Sequence, residues 1–221
     1  MVNQPDTKHV HGPEWTILLI GGNSGAGKTT LAQSLGRRFG VPWFQADDVR
    51  LALQHLTTPD HQPSLHFFVS SPGIAKSDVW ALPTERLCRG LIEVGSVVST
   101  ALEMVIAHHL ATAKPLIIEG DGIMPFLPAR QRFADIEPEA GSIRSLFIVE
   151  LDEDALMANL RGRGRGYDDK TREEQQTQVR MNCLFGEWLT QEAPRYGLDV
   201  LPAQPWQDLQ ARVERSLQWS R

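Results

Sequence analysis

Two hydrophobic patterns alternate along this chain. Short continuous apolar runs occur at "WTILLI" (15–20), "VPWFQA" (41–46), "PLIIEG" (115–120), "IRSLFIVEL" (143–151) and "LDVLP" (198–202). Runs of that length predict strands covered on both faces. Between them, apolar residues recur at three- and four-residue spacing, which predicts helices with one buried stripe. Leu31, Leu35 and Phe39 mark a helix over Thr29–Phe39, with Arg37 and Arg38 in its last turn and Gly40 as its stop. Asp47 is the candidate cap of a helix through "DVRLALQHL", and Pro83 opens a long one. Its stripe runs through Leu87, Leu91, Val94, Val98, Leu102 and Val105, with a kink expected at Gly95. Asp152 caps the helical stretch "DEDALMANLRGR", and Thr171–Ala193 and Trp206–Trp219 complete the set.

Strands that alternate with helices predict an α/β fold, a mainly parallel sheet with helices on both faces. No internal repeat and no linker divides the chain. Residues 1–14 read as a flexible polar arm and 15–221 as a single domain. Residues 57–81 are rich in Pro, Ser and Thr yet carry Phe67, Phe68 and Trp80. A connection of that length is expected to be functional or to have structure of its own.

Composition narrows the class. The 221 residues are 41% hydrophobic and 22% charged, a globular mixture. A net charge of −5 argues against general nucleic-acid binding, so an anionic substrate needs a local basic cluster. The two cysteines, Cys88 and Cys183, form no metal-binding spacing and are expected to be buried, reduced thiols. The polar N-terminus has no signal-peptide pattern, and no apolar run approaches a membrane span, so no membrane partner and a cytoplasmic location are expected. Oligomeric state is not legible.

The chemistry concentrates in "GGNSGAGKTT" (21–30), directly after the first strand. Gly22, Asn23, Ser24, Gly25, Ala26, Gly27, Lys28 and Thr29 fit GxxxxGK[ST], the phosphate-binding loop. Glycines let the backbone wrap a phosphate with inward N–H groups, and the next helix adds its positive end. Lys28, expected to lie exposed in the loop, reaches the β- and γ-phosphates, and Thr29 ligates Mg²⁺. Thr30 follows the motif and joins the nucleotide-binding set. The guanine-reading N/TKxD and the transporter "LSGGQ" are absent.

Two further features point toward phosphoryl transfer. Arg161, Arg163 and Arg165 alternate with glycines in "RGRGRG", a poor helix and a poor strand. It reads as a mobile basic lid (about 161–170) that closes over a triphosphate. Asp47, Asp48, Glu119 and Asp121 follow the second and third strands. Ligands sit at the carboxyl ends of parallel strands, so all four are expected to face the loop. One orients or deprotonates an acceptor hydroxyl and another, Glu119, holds Mg²⁺ through water. One of Asp47 and Asp48 is expected to be only a helix cap.

This order of elements resembles the nucleoside-monophosphate-kinase and shikimate/gluconate-kinase group over most of residues 15–205. "ADDVR" (46–50) and "EGDGIMP" (119–125) are similar to patterns of 2-phosphoglycerate-kinase-like proteins. The resemblance implies a three-layer P-loop NTPase fold with a five-stranded parallel sheet of order 2-3-1-4-5, a lid and an acceptor region at about 50–90. It also implies Asp47 as the acceptor-binding or catalytic carboxylate and Arg50 as an acceptor-phosphate ligand, with "PAQPW" (202–206) bordering adenine. The expected activity is transfer of the γ-phosphoryl group of ATP, with Mg²⁺, to a hydroxyl of a small metabolite, anionic and 2-phosphoglycerate-like in character. The acceptor region holds Arg50, Arg86 and Arg89 among aromatics, although Arg86 and Arg89 also read as solvated helix surface. The alternatives are a kinase that modifies an antibiotic or nucleotide-sugar, and a P-loop ATPase or nucleotide switch with a protein partner.

The arginine run generates the first test. Replacing Arg163 or Arg165 by Ala should lower turnover far more than thermal stability, and Lys should rescue only partly, lacking the planar two-donor fork. Equal losses of activity and stability would make the run structural.

Overall fold

The computed structural model describes residues 13–69, 76–162 and 169–219. Within them strand and helix alternate as the hydrophobic pattern predicts. The elements are β1 (Ile17–Gly22), α1 (Lys28–Phe39), β2 (Trp43–Gln45), α2 (Ala46–Leu56), α3 (Thr84–Thr112), β3 (Leu116–Glu119), β4 (Ile143–Val149), α4 (Glu153–Arg161), α5 (Arg172–Glu192), β5 (Val200–Pro202) and α6 (Trp206–Trp219). Short 3₁₀ segments lie at Lys76–Ala81 and Ala193–Tyr196.

The five strands form one sheet in the order β2-β3-β1-β4-β5, parallel at every pairing. β1, buried at all positions, takes the centre. Successive side chains of a strand point to opposite faces, and β1 therefore feeds two cores. Ile17 and Leu19 join Leu87, Val98, Leu102, Ile106, Phe147 and Phe185 on the side of α3 and α5. Leu18 and Ile20 join Leu31, Leu35, Leu146, Leu209 and Val213 on the side of α1 and α6. Register matters more for chemistry: Glu119 lies opposite both Ile20 and Gln45. The loops that leave β1, β2 and β3 therefore start side by side.

Several predicted boundaries hold and some move. The Asp152 carboxylate accepts from the Ala155 N–H at 2.8 Å and caps α4. Thr171 caps α5 in a reciprocal capping box with Glu174. Gly40 ends α1 in the left-handed conformation. Asp47 and Asp48, by contrast, are not caps. The helix starts at Ala46, after Gln45, and both carboxylates sit in its first turn. Ala46 is pinned against Gly120, where an added Cβ would lie 2.7 Å from that of Ala46, so the chain enters the helix directly from the strand. α3 runs through Gly95 as one helix, and the missing side chain makes room for Met124.

α3 is also long and apolar. Part of it reaches a mean hydropathy of 1.6, enough by length and composition to cross a membrane. Here its apolar stripe is spent on the core around Leu87, Val98 and Leu102. The described part of the 57–81 connection has structure of its own. His66 is buried with a ring nitrogen 3.1 Å from the Thr57 hydroxyl, and the Gln54 amide donates to the Leu65 carbonyl at 2.8 Å. Phe67 fills the space left by Gly90. Both cysteines are buried free thiols, and burial pushes each up to about 11.

The tightest backbone approach ends β1. Gly22 has φ +140°, and a Cβ there would lie 1.9 Å from the Ile148 carbonyl oxygen. Neither partner can yield, because both are central backbone. Gly22→Ala should destabilise the chain by at least about 2–3 kcal/mol, read as a lower denaturant midpoint at unchanged slope.

Candidate active site

The loop between β1 and α1 owes its shape to three glycines with positive φ: Gly22, Gly25 and Gly27. Gly27 is the N-cap of α1 and makes no side-chain cap, and the first turn carries no acidic residue. The leading N–H groups of α1 therefore face the loop with their positive dipole end uncompensated, a geometry suited to an anion.

The loop is fastened from behind. Asn23 has no exposed surface. Its amide donates to the carbonyls of Glu150 at 2.7 Å and Asn182 at 3.1 Å, and its oxygen accepts from the Glu150 N–H at 3.0 Å. The Asn182 side-chain oxygen in turn accepts from the Ser24 N–H at 3.1 Å. The side chain of Asn23 is thus committed to holding the loop, which leaves backbone, not this amide, to meet a phosphate. Lys28 departs from expectation. It is only 3% exposed, and its Nζ donates to the Asn23 carbonyl at 2.8 Å. The lysine is folded into the loop because the chain reverses around it, so truncation to Ala would disturb packing as well as charge.

The strand-end carboxylates separate into different positions. Glu119, 3% exposed, accepts from the Thr29 hydroxyl at 2.7 Å. Asp47 pairs with Arg50 at 3.0 Å, and Arg50 also donates to Gln54 at 3.2 Å. A cavity of about 200 Å³ is lined by Ser24, Lys28, Thr29, Asp47, Glu119 and Asp121. A second, of about 210 Å³, is lined by Asp47, Arg50, Asp121 and an apolar wall from Leu65, Phe68, Trp80, Leu91, Val94 and Val98. Ser24, Asp47, Asp121 and Gln178 line both. Asp48 lines neither and is exposed, contrary to the expectation that all four carboxylates face the loop. One residue along a helix is a turn of about 100°, enough to aim the neighbour of Asp47 at solvent.

On the far side of the loop an open depression of about 460 Å³ is lined by Gly25, Gly27, Thr30, Asn159, Gly162 and Trp206. The Asn159 amide donates to the Gly25 carbonyl at 3.1 Å. Trp206 packs so closely on Gly27 that a Cβ there would sit 1.9 Å from the indole. The loop that delivers Trp206 is gathered by Arg212, which donates to the carbonyls of Pro202, Ala203 and Pro205.

Two sequence-predicted cations, Arg161 and Arg86, fall elsewhere. Arg161 donates to Gln175 at 2.9 Å and lines none of these cavities. Arg163 and Arg165, with most of the expected lid, lie outside the described residues. Arg86 rests over the Phe67 ring at 4.9 Å and pairs with Glu93 on the surface, away from both cavities, because α3 presents it to solvent. Reading the sequence missed Asn182, Gln178, Asn159 and Lys170. The Nζ of Lys170 lies 3.6 Å from the centre of the Trp80 ring and 2.5 Å from the Gln178 side-chain oxygen. Burial draws it down to about 8. Among the described residues no group of three or more His, Cys, Asp or Glu is placed to hold a metal by itself. The Thr29 hydroxyl and the Glu119 carboxylate are nevertheless hard oxygen donors side by side, the type a magnesium ion takes alongside phosphate oxygens.

A family model described as "AAA domain" matches residues 17–184. No curated protein matches significantly. Among solved structures, a Chloroflexus aurantiacus J-10-fl protein whose kinase assignment is provisional is similar at TM-score 0.50 and 18% identity, over 94% of this chain and 98% of its own. Shikimate kinase from Acinetobacter baumannii, in complex with shikimate, aligns at TM-score 0.48 and 12% identity, over 94% and 96%. Deoxyadenosine kinase from M. mycoides aligns at 0.46 and 15%, over 93% and 100%. The likeness to the first speaks to the fold, a P-loop NTPase sheet with helices on both sides.

The lowered Lys170 value sets a pH dependence. Above about pH 8 the folded chain has released this proton, whereas the unfolded chain keeps it up to the ordinary value of 10.5. In that window the unfolded state binds more protons, so stability rises with pH. The Tm of the wild type minus that of Lys170→Met should climb from about pH 8 to about pH 10 in thermal unfolding. A flat difference would show an ammonium that is as well hydrated folded as unfolded.

Proposed function

The chain belongs to the AAA domain family, and on that premise we propose that it is an ATP-dependent phosphotransferase acting on a hydroxyl of a small molecule. The observation that carries this reading is the meeting of two cavities at Ser24, Asp47, Asp121 and Gln178. A nucleotide switch needs only the first cavity. A transferase needs a second opening onto the γ-phosphate, beside a carboxylate.

The chain's residues divide the work accordingly. Trp206, Thr30 and Asn159 border the nucleotide on the outer side of the loop. The loop N–H groups and the start of α1 hold the phosphates, and Lys28 exchanges the Asn23 carbonyl for phosphate oxygen. Thr29 would hold Mg²⁺ through its hydroxyl and Glu119 through water; the ion supplies positive charge shared among the phosphates. Asp47, fixed by Arg50, orients the acceptor hydroxyl and takes its proton as the oxygen attacks the γ-phosphorus. The bond to the β–γ bridging oxygen breaks, and ADP leaves with that electron pair. Arg163 and Arg165 complete the charge stabilisation in this reading. The 2-phosphoglycerate-like acceptor rests on "ADDVR" and "EGDGIMP" alone, with Arg50 as its phosphate ligand.

Acceptor-dependent ADP release is the test. Lys28→Met, which keeps the buried stem, should abolish it in a folded protein. Asp47→Asn should cut turnover by roughly a hundredfold or more, the scale of general-base loss, and the exposed Asp48→Asn by less than about twofold. Slow hydrolysis that ignores every acceptor, with equal effects at both positions, would instead favour the switch.

A further inference from the structure

Gln178 lines both cavities, and Asn182, one turn further along α5, meets the phosphate loop at the Ser24 N–H. The Asn182 amide also donates to the Gln178 carbonyl at 2.9 Å. Side chains four apart on a helix share a face. The face of α5 that grips the loop therefore also presents Gln178, at the junction where a γ-phosphoryl group would pass from nucleotide to acceptor.

A glutamine amide has two unlike ends, an acceptor oxygen and a donor NH₂, and the end that faces the junction decides what it can do. Lys170 makes that choice. Its Nζ lies 2.5 Å from the Gln178 Oε1 and 3.6 Å from the centre of the Trp80 ring. Its backbone is held in turn, since the Gln175 amide donates to the Lys170 carbonyl at 3.2 Å just before the Thr171 cap. Lys170 keeps its proton up to about pH 8, so near neutrality it is an ammonium, which donates and cannot accept. It takes the oxygen of the Gln178 amide and lines neither cavity. The NH₂ is the end left over. Among the described residues it donates to no group of the chain, and it is not enclosed: the one buried side-chain atom there without a partner is Glu150 Oε2.

We infer that Gln178 is a catalytic residue whose amide N–H donates to a non-bridging oxygen of the γ-phosphate, and that Lys170 is the positioning residue that turns the amide to do so. The inference rests on the phosphotransferase reading and adds a group to its machinery. The phosphoryl group carries its non-bridging oxygens with it, so a donor at the junction holds it from nucleotide to acceptor. The Trp80 face is then occupied by the ammonium that sets the donor, which ties the segment before α3 to the same task.

The test compares the affinity of the full chain for ADP and for the β,γ-imido analogue of ATP, each with Mg²⁺, by calorimetry at pH 7. Gln178→Leu should weaken the analogue by about tenfold and leave ADP unchanged. Lys170→Met, which keeps an apolar stem on Trp80, should weaken the analogue by about threefold with ADP unchanged, because the amide can then present either end. Lys170→Arg should restore most of that loss. In the wild type the Gln178 side-chain amide signal, followed by NMR in glutamine-labelled protein, should shift with the analogue and not with ADP. Equal weakening of ADP and analogue, analogue binding indifferent to Gln178, or an amide signal that moves equally with both nucleotides would overturn the inference. Unchanged discrimination in Lys170→Met would overturn the positioning role. Failure of the phosphotransferase reading shows separately, as ADP release that no acceptor accelerates while the preference for the γ-phosphate still depends on Gln178.

Discussion

Asn23 makes hydrogen bonds to Glu150 and Asn182 from a side chain with no exposed surface. Those bonds join the phosphate loop to the end of β4 and the middle of α5. A buried amide that loses such partners leaves donors and acceptors stranded, at roughly 1–3 kcal/mol each, so the three elements hold one relative position. The consequence reaches further than the loop. α5 also carries Gln178, Met181 and Asn182, which line the second cavity, and its N-terminus follows Lys170. The phosphate loop and the lining of the second cavity are therefore tied to the same helix, and a shift in α5 reaches both.

The parallel sheet supplies the other half of the arrangement. With Glu119 opposite both Ile20 and Gln45, the loop, the α2 start and the β3 end converge at one edge. Thr29 and Glu119 then meet across 90 residues of sequence at 2.7 Å, and Asp47 lands between the two cavities. None of these carboxylates needs a long flexible arm to reach its place. Strand ends bring them there, which is the kind of preorganisation that phosphoryl transfer requires.

The two sides of the site use different physics. On the nucleotide side, backbone N–H groups, a helix terminus and a buried lysine meet charge with charge. Around the second cavity, α3 and the aromatic segment before it present apolar surface, and among the described residues the lining guanidinium, Arg50, pairs with Asp47. Lys170 sits between these regimes, its ammonium over Trp80 and bonded to Gln178.

Local rules determined a great deal by themselves. The strand and helix order, the Asp152 and Thr171 caps, the Gly40 stop and the phosphate loop all follow from short-range chemistry, because each depends on residues within one turn or one strand. The strand order was legible through resemblance, since one motif carries a whole topology with it. What the sequence left open was decided by distant partners. Lys28 is buried with its ammonium on the Asn23 carbonyl, and Asp47 and Asp48 part company in exposure because Ala46 is pinned on Gly120. Arg86 joins no site, since α3 turns it outward, whereas Asn182 and Lys170 gain roles no motif marks. Periodicity fixes which face of an element is buried, but not what that face meets; only the packing of one element on another does that.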